Sequence, residues 1–530
     1  MFGAARAAFP VVAALALAVG GCVHAPPPRV EASAGIPGSG LASFPWRQVE
    51  QVLRRGYDAI ASRYLEPVSV QDLALDGLKG LAAIDPAITV GREGDKVSVK
   101  VSGRDAAVLD APAEDDVLGW ARLSTLAAAS SREYSPAMAA ADPEAVYRAI
   151  FDALLVRLDG FSRYAGASKA EDNRAARNGF GGIGIDYRGV AEGIEVTDVT
   201  PGAPAEDGGL SKGDLIFGID GQPVAGLSSH AVLERLRGPV NSTVSLSLRK
   251  RNGREPLEII LSRALIVPET VTLSLKGGIA RIRVTSFNQR TGASVEKAVR
   301  DASARLGRTL KGIVLDMRGN PGGLLDQGVA VSDLFLTGGA IVSTRGRNPE
   351  ANQSYAAKSG DIGETFPLVV LVDGQSASAA EIVAAALQDN NRAVVVGTTS
   401  YGKGTVQTVV HLPNEGELTL TWSRFHTPSG YALHKLGVLP SVCVLDVTED
   451  PDEVVAGVRS GTGPTAIVLP LWRAVPVGDV EARRALRTSA CPPGRHDEAP
   501  VEMDVARRLL SDHALYARAL SLFQQVAESH

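Results

Sequence analysis

The stretch 367–407 constrains the chain more than any other. Its opening run, Leu368, Val369, Val370, Leu371 and Val372, is apolar, rich in β-branched residues and too short for a typical helix, which predicts a buried strand. Asp373, Gly374, Gln375 and Ser376 then break the run as a turn. From Ser378 the composition changes to strong helix formers, with Glu381 as an acid in the first turn. Ser378 therefore sits where a strand hands over to a helix. At an arbitrary helix start a serine is most often a plain N-cap. The same position also aims a hydroxyl and free backbone N–H groups at one point, as acyl transfer requires.

The residues after this helix decide between the two roles. A second apolar strand, 393–396, ends at Gly397, and Tyr401-Gly402-Lys403-Gly404-Thr405-Val406-Gln407 leads into another β-rich run through Val410. Two flanking glycines let the backbone pack closely around Lys403, and Lys403 and Gln407, four apart on an expected strand, share a face. A lysine can activate a serine provided it is neutral. Its pKa must then fall from about 10.4 to about 7–8, a cost of about 4 kcal/mol that burial in an apolar site supplies. Gln407 would hold the amine through its amide oxygen. Gly397, Gly402 and Lys403 also imitate the start of a phosphate-binding loop. That motif needs Ser or Thr after the lysine and a helix next, whereas Gly404 and a strand stand here, so nucleotide binding is set aside.

SASAAEIVAAALQDNNRAVVVG followed by YGKGTVQ closely resembles the carboxy-terminal processing (tail-specific) serine peptidases. The resemblance implies that Ser378 is the nucleophile, Lys403 the general base and Gln407 its partner, with peptide cleavage through an acyl-enzyme. Asp316-Met317-Arg318-Gly319-Asn320-Pro321-Gly322-Gly323 matches the family's D-x-R-x-N-x-G-G segment. It implies an oxyanion hole made by the N–H of Gly322 or Gly323, the second favoured, together with that of Ala379. A glycine-rich turn there is also a nest of backbone donors on its own chemistry. Two departures are expected to cost no chemistry: Ala380 replaces a small polar residue, and Gly160-Phe161 stands where the family commonly has Pro-His. Ser441 also replaces the usual Asp after the last core proline.

Between these regions, Phe180-Gly181-Gly182-Ile183-Gly184 opens a unit of short strands, with a helix over 228–236 and Arg237-Gly238-Pro239 after it. The order resembles a PDZ domain. A glycine-rich loop exposes N–H groups to a carboxylate while an extended peptide adds as a strand. Gly182, Ile183 and Gly184 are the expected carboxylate loop, and protein or peptide C-termini with apolar last residues the expected ligands.

Composition excludes several classes. A net charge of −5 leaves no basic footprint for nucleic acid. Three cysteines cannot build a disulfide framework or zinc cluster, and the eight histidines form no ligand pair at helical spacing, so neither metal nor other cofactor is expected. His411, His426 and His434 invite a Ser-His triad, but no acid partner accompanies them. At the start, the apolar tract 9–19 behind Arg6 reads as an export signal, and Val19-Gly20-Gly21-Cys22 resembles a bacterial lipobox. Acyl chains on Cys22 would anchor the protein to a membrane. Val23, not Asp, favours the outer membrane, with the protein on the periplasmic side of the envelope.

The expected architecture is α/β (α+β) and multidomain: a peptidase core of mixed sheet and helices, an inserted PDZ domain and helical flanks. The partition is a signal at 1–21, a tether at 22–43, a mainly helical region at 44–165, the PDZ domain at 180–264, the core at 268–445 and a helical extension at 446–530. Within the first helical region, 88–109 reads as a small β segment, and the extension closes with one helix over 501–528. Cys443 and Cys491 are able to pair in an oxidising periplasm. The competing function is a non-catalytic envelope lipoprotein whose PDZ domain recruits partners. The joint presence of Ser378, Lys403 and Gln407 argues against it. An adaptor protein is a partner that the sequence leaves open.

Overall fold

The computed structural model describes residues 44–522, apart from 359, 364–365, 462–463 and 497–498. The signal, the tether and Cys22 lie outside the described residues.

Strand Leu368–Val372 is buried along its whole length at the centre of a six-stranded sheet. The sheet runs Val271–Lys276, Ile279–Val284, Gly312–Asp316, Leu368–Val372, Val394–Gly397 and Val442–Cys443, antiparallel in its first pair and parallel thereafter. Its alternate residues enter two different cores. Val370 and Val372 pack with Val331, Ile382 and Val383 from the helices Leu325–Asp333 and Ala379–Asp389. Val369 and Leu371 pack with Val505, Leu509 and Leu515 from the C-terminal helices. Parallel strands covered on both faces read as continuous apolar runs, which is why this one shows no polar alternation.

The extension is therefore a layer of the core. Its helices are Pro451–Ser460, Pro464–Ala474, Val480–Ala490, Pro500–Ser511 and His513–Ser521. The single closing helix expected over 501–528 is two helices. Asp512, in an extended conformation, ends the first and caps the second by accepting the Leu515 N–H, a role that short polar side chains favour over continued helix. Phe523 and the residues after it lie outside the described residues. The pairing of Cys443 with Cys491 is present and fastens the extension to the last core strand.

A second sheet contains Thr405–His411 paired with Glu417–His426. The N-terminal region docks on it: Val410, Leu418 and Leu420 join the cluster built by helices Trp46–Arg63, Val70–Lys79, Val117–Tyr134 and Pro143–Val156. The β segment of that region is a three-stranded antiparallel meander.

The expected PDZ unit has its own core, with helix Ser229–Leu236 packed on an antiparallel sheet whose edge strand is Ile185–Val190. It is joined to the rest through Phe180–Gly182, paired with Ala264–Ile266, and through helix Ala167–Asn178. Arg174 and Arg177 of that helix bind the buried carboxylate of Glu417, and Asp172 of the same helix pairs with Arg237.

Candidate active site

The turn after Leu368–Val372 is built by Asp373. Its Oδ1 accepts the N–H groups of Gly319, Gln375 and Ser376, and its Oδ2 accepts that of His496 from the extension. Ser378 comes next in the turn with φ +56° and ψ −116° and is 7% exposed. An ordinary N-cap is extended, and a non-glycine residue held at positive φ is strained. The backbone of Ser378 thus departs from the plain capping reading.

Glu381, one turn into the helix, explains how that conformation is held. Its Oε2 accepts the N–H of Ser378 at 2.8 Å and the N–H of Lys403 at 3.1 Å. Its Oε1 accepts Ser400 Oγ at 2.5 Å and the Gly402 N–H at 2.6 Å. The side chain is fully buried. Burial raises its pKa, and these hydrogen bonds oppose the rise. One carboxylate therefore stitches the serine turn to the lysine loop. The sequence marked Glu381 only as a first-turn acid. The pattern that announces it is serine followed three residues later by glutamate at a helix start, with the helix otherwise apolar.

Lys403 is held by close backbone packing. Gly404 has φ +50°, and a Cβ added there would lie 1.9 Å from the His434 nitrogen, so the loop accepts nothing larger than glycine. His434 Nδ1 lies 3.2 Å from the Lys403 carbonyl oxygen, and burial lowers its pKa. The Lys403 ammonium has its own pKa lowered, first by burial and then by the positive charge of Arg163, with Glu381 acting the other way. Its Nζ lies 5.7 Å from the centre of the Phe161 ring. Phe161 and Arg163 therefore border the lysine, a proximity that the departure at Gly160-Phe161 did not announce.

Gln407 does not lie with Lys403 on one regular strand. Lys403 precedes strand Thr405–His411, and the register shifts between Val406 and Gln407, so the shared-face argument fails. Gln407 Nε2 donates to Thr405 Oγ1 at 2.9 Å and to Thr421 Oγ1 at 3.4 Å, which leaves its oxygen as an acceptor.

The glycine turn lies against the serine. A Cβ added at Gly322 would stand 2.7 Å from Ser378 Cβ and 3.0 Å from the Ala379 nitrogen. The Gly322 N–H donates to Asn320 Oδ1 at 2.8 Å, whereas the N–H groups of Gly323 and Ala379 have no partner among the described residues. His411, His426 and His434 make no hydrogen bond to Ser378 among the described residues. His411 faces Glu417 instead.

In the PDZ unit, a groove of about 410 Å³ runs between Ile185–Val190 and Ser229–Leu236. Gly182, Ile183 and Gly184 line one part of it, and Ile185, Tyr187 and Leu233 supply apolar wall.

Residues 278–444 match the model of peptidase family S41, and residues 171–249 match that of the PDZ domain. A carboxy-terminal-processing protease of Bartonella bacilliformis is 38% identical over 305 residues, covering 57% of this chain and 70% of that protein. The chain belongs to peptidase family S41. A carboxyl-terminal-processing protease of Synechocystis is 34% identical over 275 residues, 51% of this chain and 62% of that one. The solved structure of a photosystem II D1 C-terminal processing protease is 25% identical, covers 74% of this chain and 92% of its own, and superposes with a TM-score of 0.37. This S41 member is thus a carboxy-terminal-processing serine protease that carries a PDZ domain.

Proposed function

We propose that the chain cleaves protein substrates by Ser–Lys catalysis, with Ser378 as nucleophile and Lys403 as general base. The observation that carries this is the shared acceptor: Glu381 Oε2 receives the N–H groups of both Ser378 and Lys403. Neutral Lys403 takes the hydroxyl proton as Ser378 Oγ attacks a peptide carbonyl carbon. The N–H groups of Ala379 and Gly323 face the developing oxyanion, and the proton then passes from the lysine to the leaving amine. Water, deprotonated by the same amine, hydrolyses the ester. Gln407 Oε1, which the hydrogen bonds of its amide nitrogen leave as an acceptor, would receive the Lys403 amine and orient it. Gly182, Ile183 and Gly184 bind the substrate's terminal carboxylate, and its apolar last residues lie along Ile185–Val190 as an added strand. Lipidated Cys22 attaches the enzyme to the outer membrane, facing the periplasm, where an adaptor protein can deliver substrates.

The test uses chain beginning after Cys22, incubated with an unfolded protein that ends in apolar residues and with the same protein ending in charged residues. Mass spectrometry tracks the products. Cleavage of the apolar-tailed protein alone, lost in Ser378→Ala and in Lys403→Ala, is the expected result. Cleavage that persists in either variant removes that residue from its role. Radiolabelled palmitate incorporation in the full chain, lost in Cys22→Ala, tests the anchor.

A further inference from the structure

Beside the lysine loop lies a pocket of about 430 Å³ that the peptidase core does not build alone. Phe161, Tyr401, Gly402 and Lys435 line it together with Arg484 and Arg487 of the extension helix Val480–Ala490. It adjoins the chemistry directly. Gly402 precedes the general base and donates to Glu381, while the Phe161 ring faces Lys403 Nζ. The Tyr401 N–H donates to the carbonyl of Ser376 in the serine turn.

Its charge is one-sided. No acidic residue appears among its described lining residues. Lys435 and Arg484 are exposed and form no ion pair among the described residues, and Arg487 spends a single hydrogen bond, from Nη2 to the Ser400 carbonyl at 2.8 Å. Many arginines elsewhere among the described residues have carboxylate partners, including Arg281, Arg318, Arg392 and Arg508. Buried Glu381 acts on Arg487, but Lys435 and Arg484 have no ion pair among the described residues; like charges round a partly apolar hollow repel one another, and an anion entering it relieves that repulsion. From this we infer that the extension supplies a specificity subsite that takes the carboxylate of an acidic side chain flanking the scissile bond. The aromatic wall of Phe161 and Tyr401 packs the methylenes of that side chain, and Arg484, Arg487 and Lys435 surround its charge.

The inference rests on the proposed Ser–Lys reaction, and its test separates the two. Peptides with one common apolar C-terminus carry Glu, Gln or Lys at the positions flanking the cleaved bond, and kcat/KM is compared within the set. The Glu peptide is expected to exceed the Gln peptide by about tenfold, with the ratio falling as salt rises. In Arg484→Glu and Lys435→Glu, both exposed positions, the Glu/Gln ratio should drop below one. Equal rates for Glu and Gln in the unaltered enzyme overturn the subsite while leaving the reaction intact. Binding of the same peptides to Ser378→Ala, read by fluorescence anisotropy, gives the ratio without turnover, so a failure of the catalytic assignment does not hide the answer. A second set with free or amidated C-termini covers the other source of a carboxylate. If Arg484→Glu alters the free/amide ratio and not the Glu/Gln ratio, the pocket holds the chain end, and the side-chain assignment falls.

Discussion

Glu381 is the side chain on which both reactive residues depend. Each of its oxygens takes two donors, so a glutamine there would turn an NH2 group toward two N–H or O–H groups that need acceptors. Glu381→Gln should therefore release either the serine turn or the lysine loop. A misplacement of about 1 Å costs on the order of a hundredfold in rate, so kcat should fall by that much while peptide affinity of the PDZ groove stays constant. An unchanged kcat would show that the turn holds Ser378 without the carboxylate. The pH profile is set by the causes acting on Lys403. The base works when neutral, so activity rises as pH passes up through its pKa. Burial and then the charge of Arg163 hold that pKa below the ordinary 10.5, which moves the acid limb downward. Arg163→Met removes one of those causes, and the limb of kcat/KM against pH should move to higher pH. A limb that does not move would leave burial as the whole cause.

At the scale of elements, the reactive loops were legible because their signals are local. A short apolar run, a turn with Asp and Gly, and an alanine-rich helix start can each be read within a few residues, and the strand, turn and helix stand where those signals put them. The lysine loop is equally local. Gly404→Ala must move a Cβ away from the His434 backbone at 1.9 Å and also adopt φ +50°. The cost should be on the order of 3 kcal/mol, seen as a lower urea midpoint together with lost activity. A variant as stable as the parent would mean that residues 433–434 yield to it. Contacts made at long range left weaker traces. Residue spacing alone puts Gln407 on the face of Lys403, but the strand starts after Lys403 and bulges at Gln407. Helix Ala167–Asn178 buries little besides Ala170 and Ala175, so it carries almost no apolar periodicity, yet it holds Glu417 and meets Arg237.

At the scale of the whole molecule, the extension decides how the core is held. The unbroken apolar run of Leu368–Val372 already demanded cover on two faces. Nothing in the tail's own sequence said that it provided the second, since an amphipathic helix does not name the sheet that it covers. The coupling is polar as well as apolar. Asp316, buried in the core sheet, has its pKa raised by burial, but the hydrogen-bonded guanidinium of Arg318, then Arg281 and Arg283, hold it below its ordinary 3.8 overall. Its stabilising contribution is present above that unfolded value and is lost as pH falls through the lower folded one. Arg318 in turn donates to the carbonyls of His496 and Ala499 and to Glu502 Oε2 at 3.1 Å, all in the extension. Glu502 Oε1 also faces His496 Nδ1, while the His496 N–H reaches Asp373 in the serine turn. Removing this one carboxylate leaves buried Arg318 with only Asp316, a partner that Arg281 and Arg283 already share, and takes the acceptor from His496 Nδ1, next to the turn that shapes Ser378. Glu502→Ala should cost about 3–5 kcal/mol, read as a lower urea midpoint. Under conditions where the variant is still folded, its kcat should also be reduced, because the support of Asp373 loosens with His496. A variant that loses stability and keeps full kcat would confine the extension's polar contacts to holding the fold, and would separate its structural layer from the shaping of the active site.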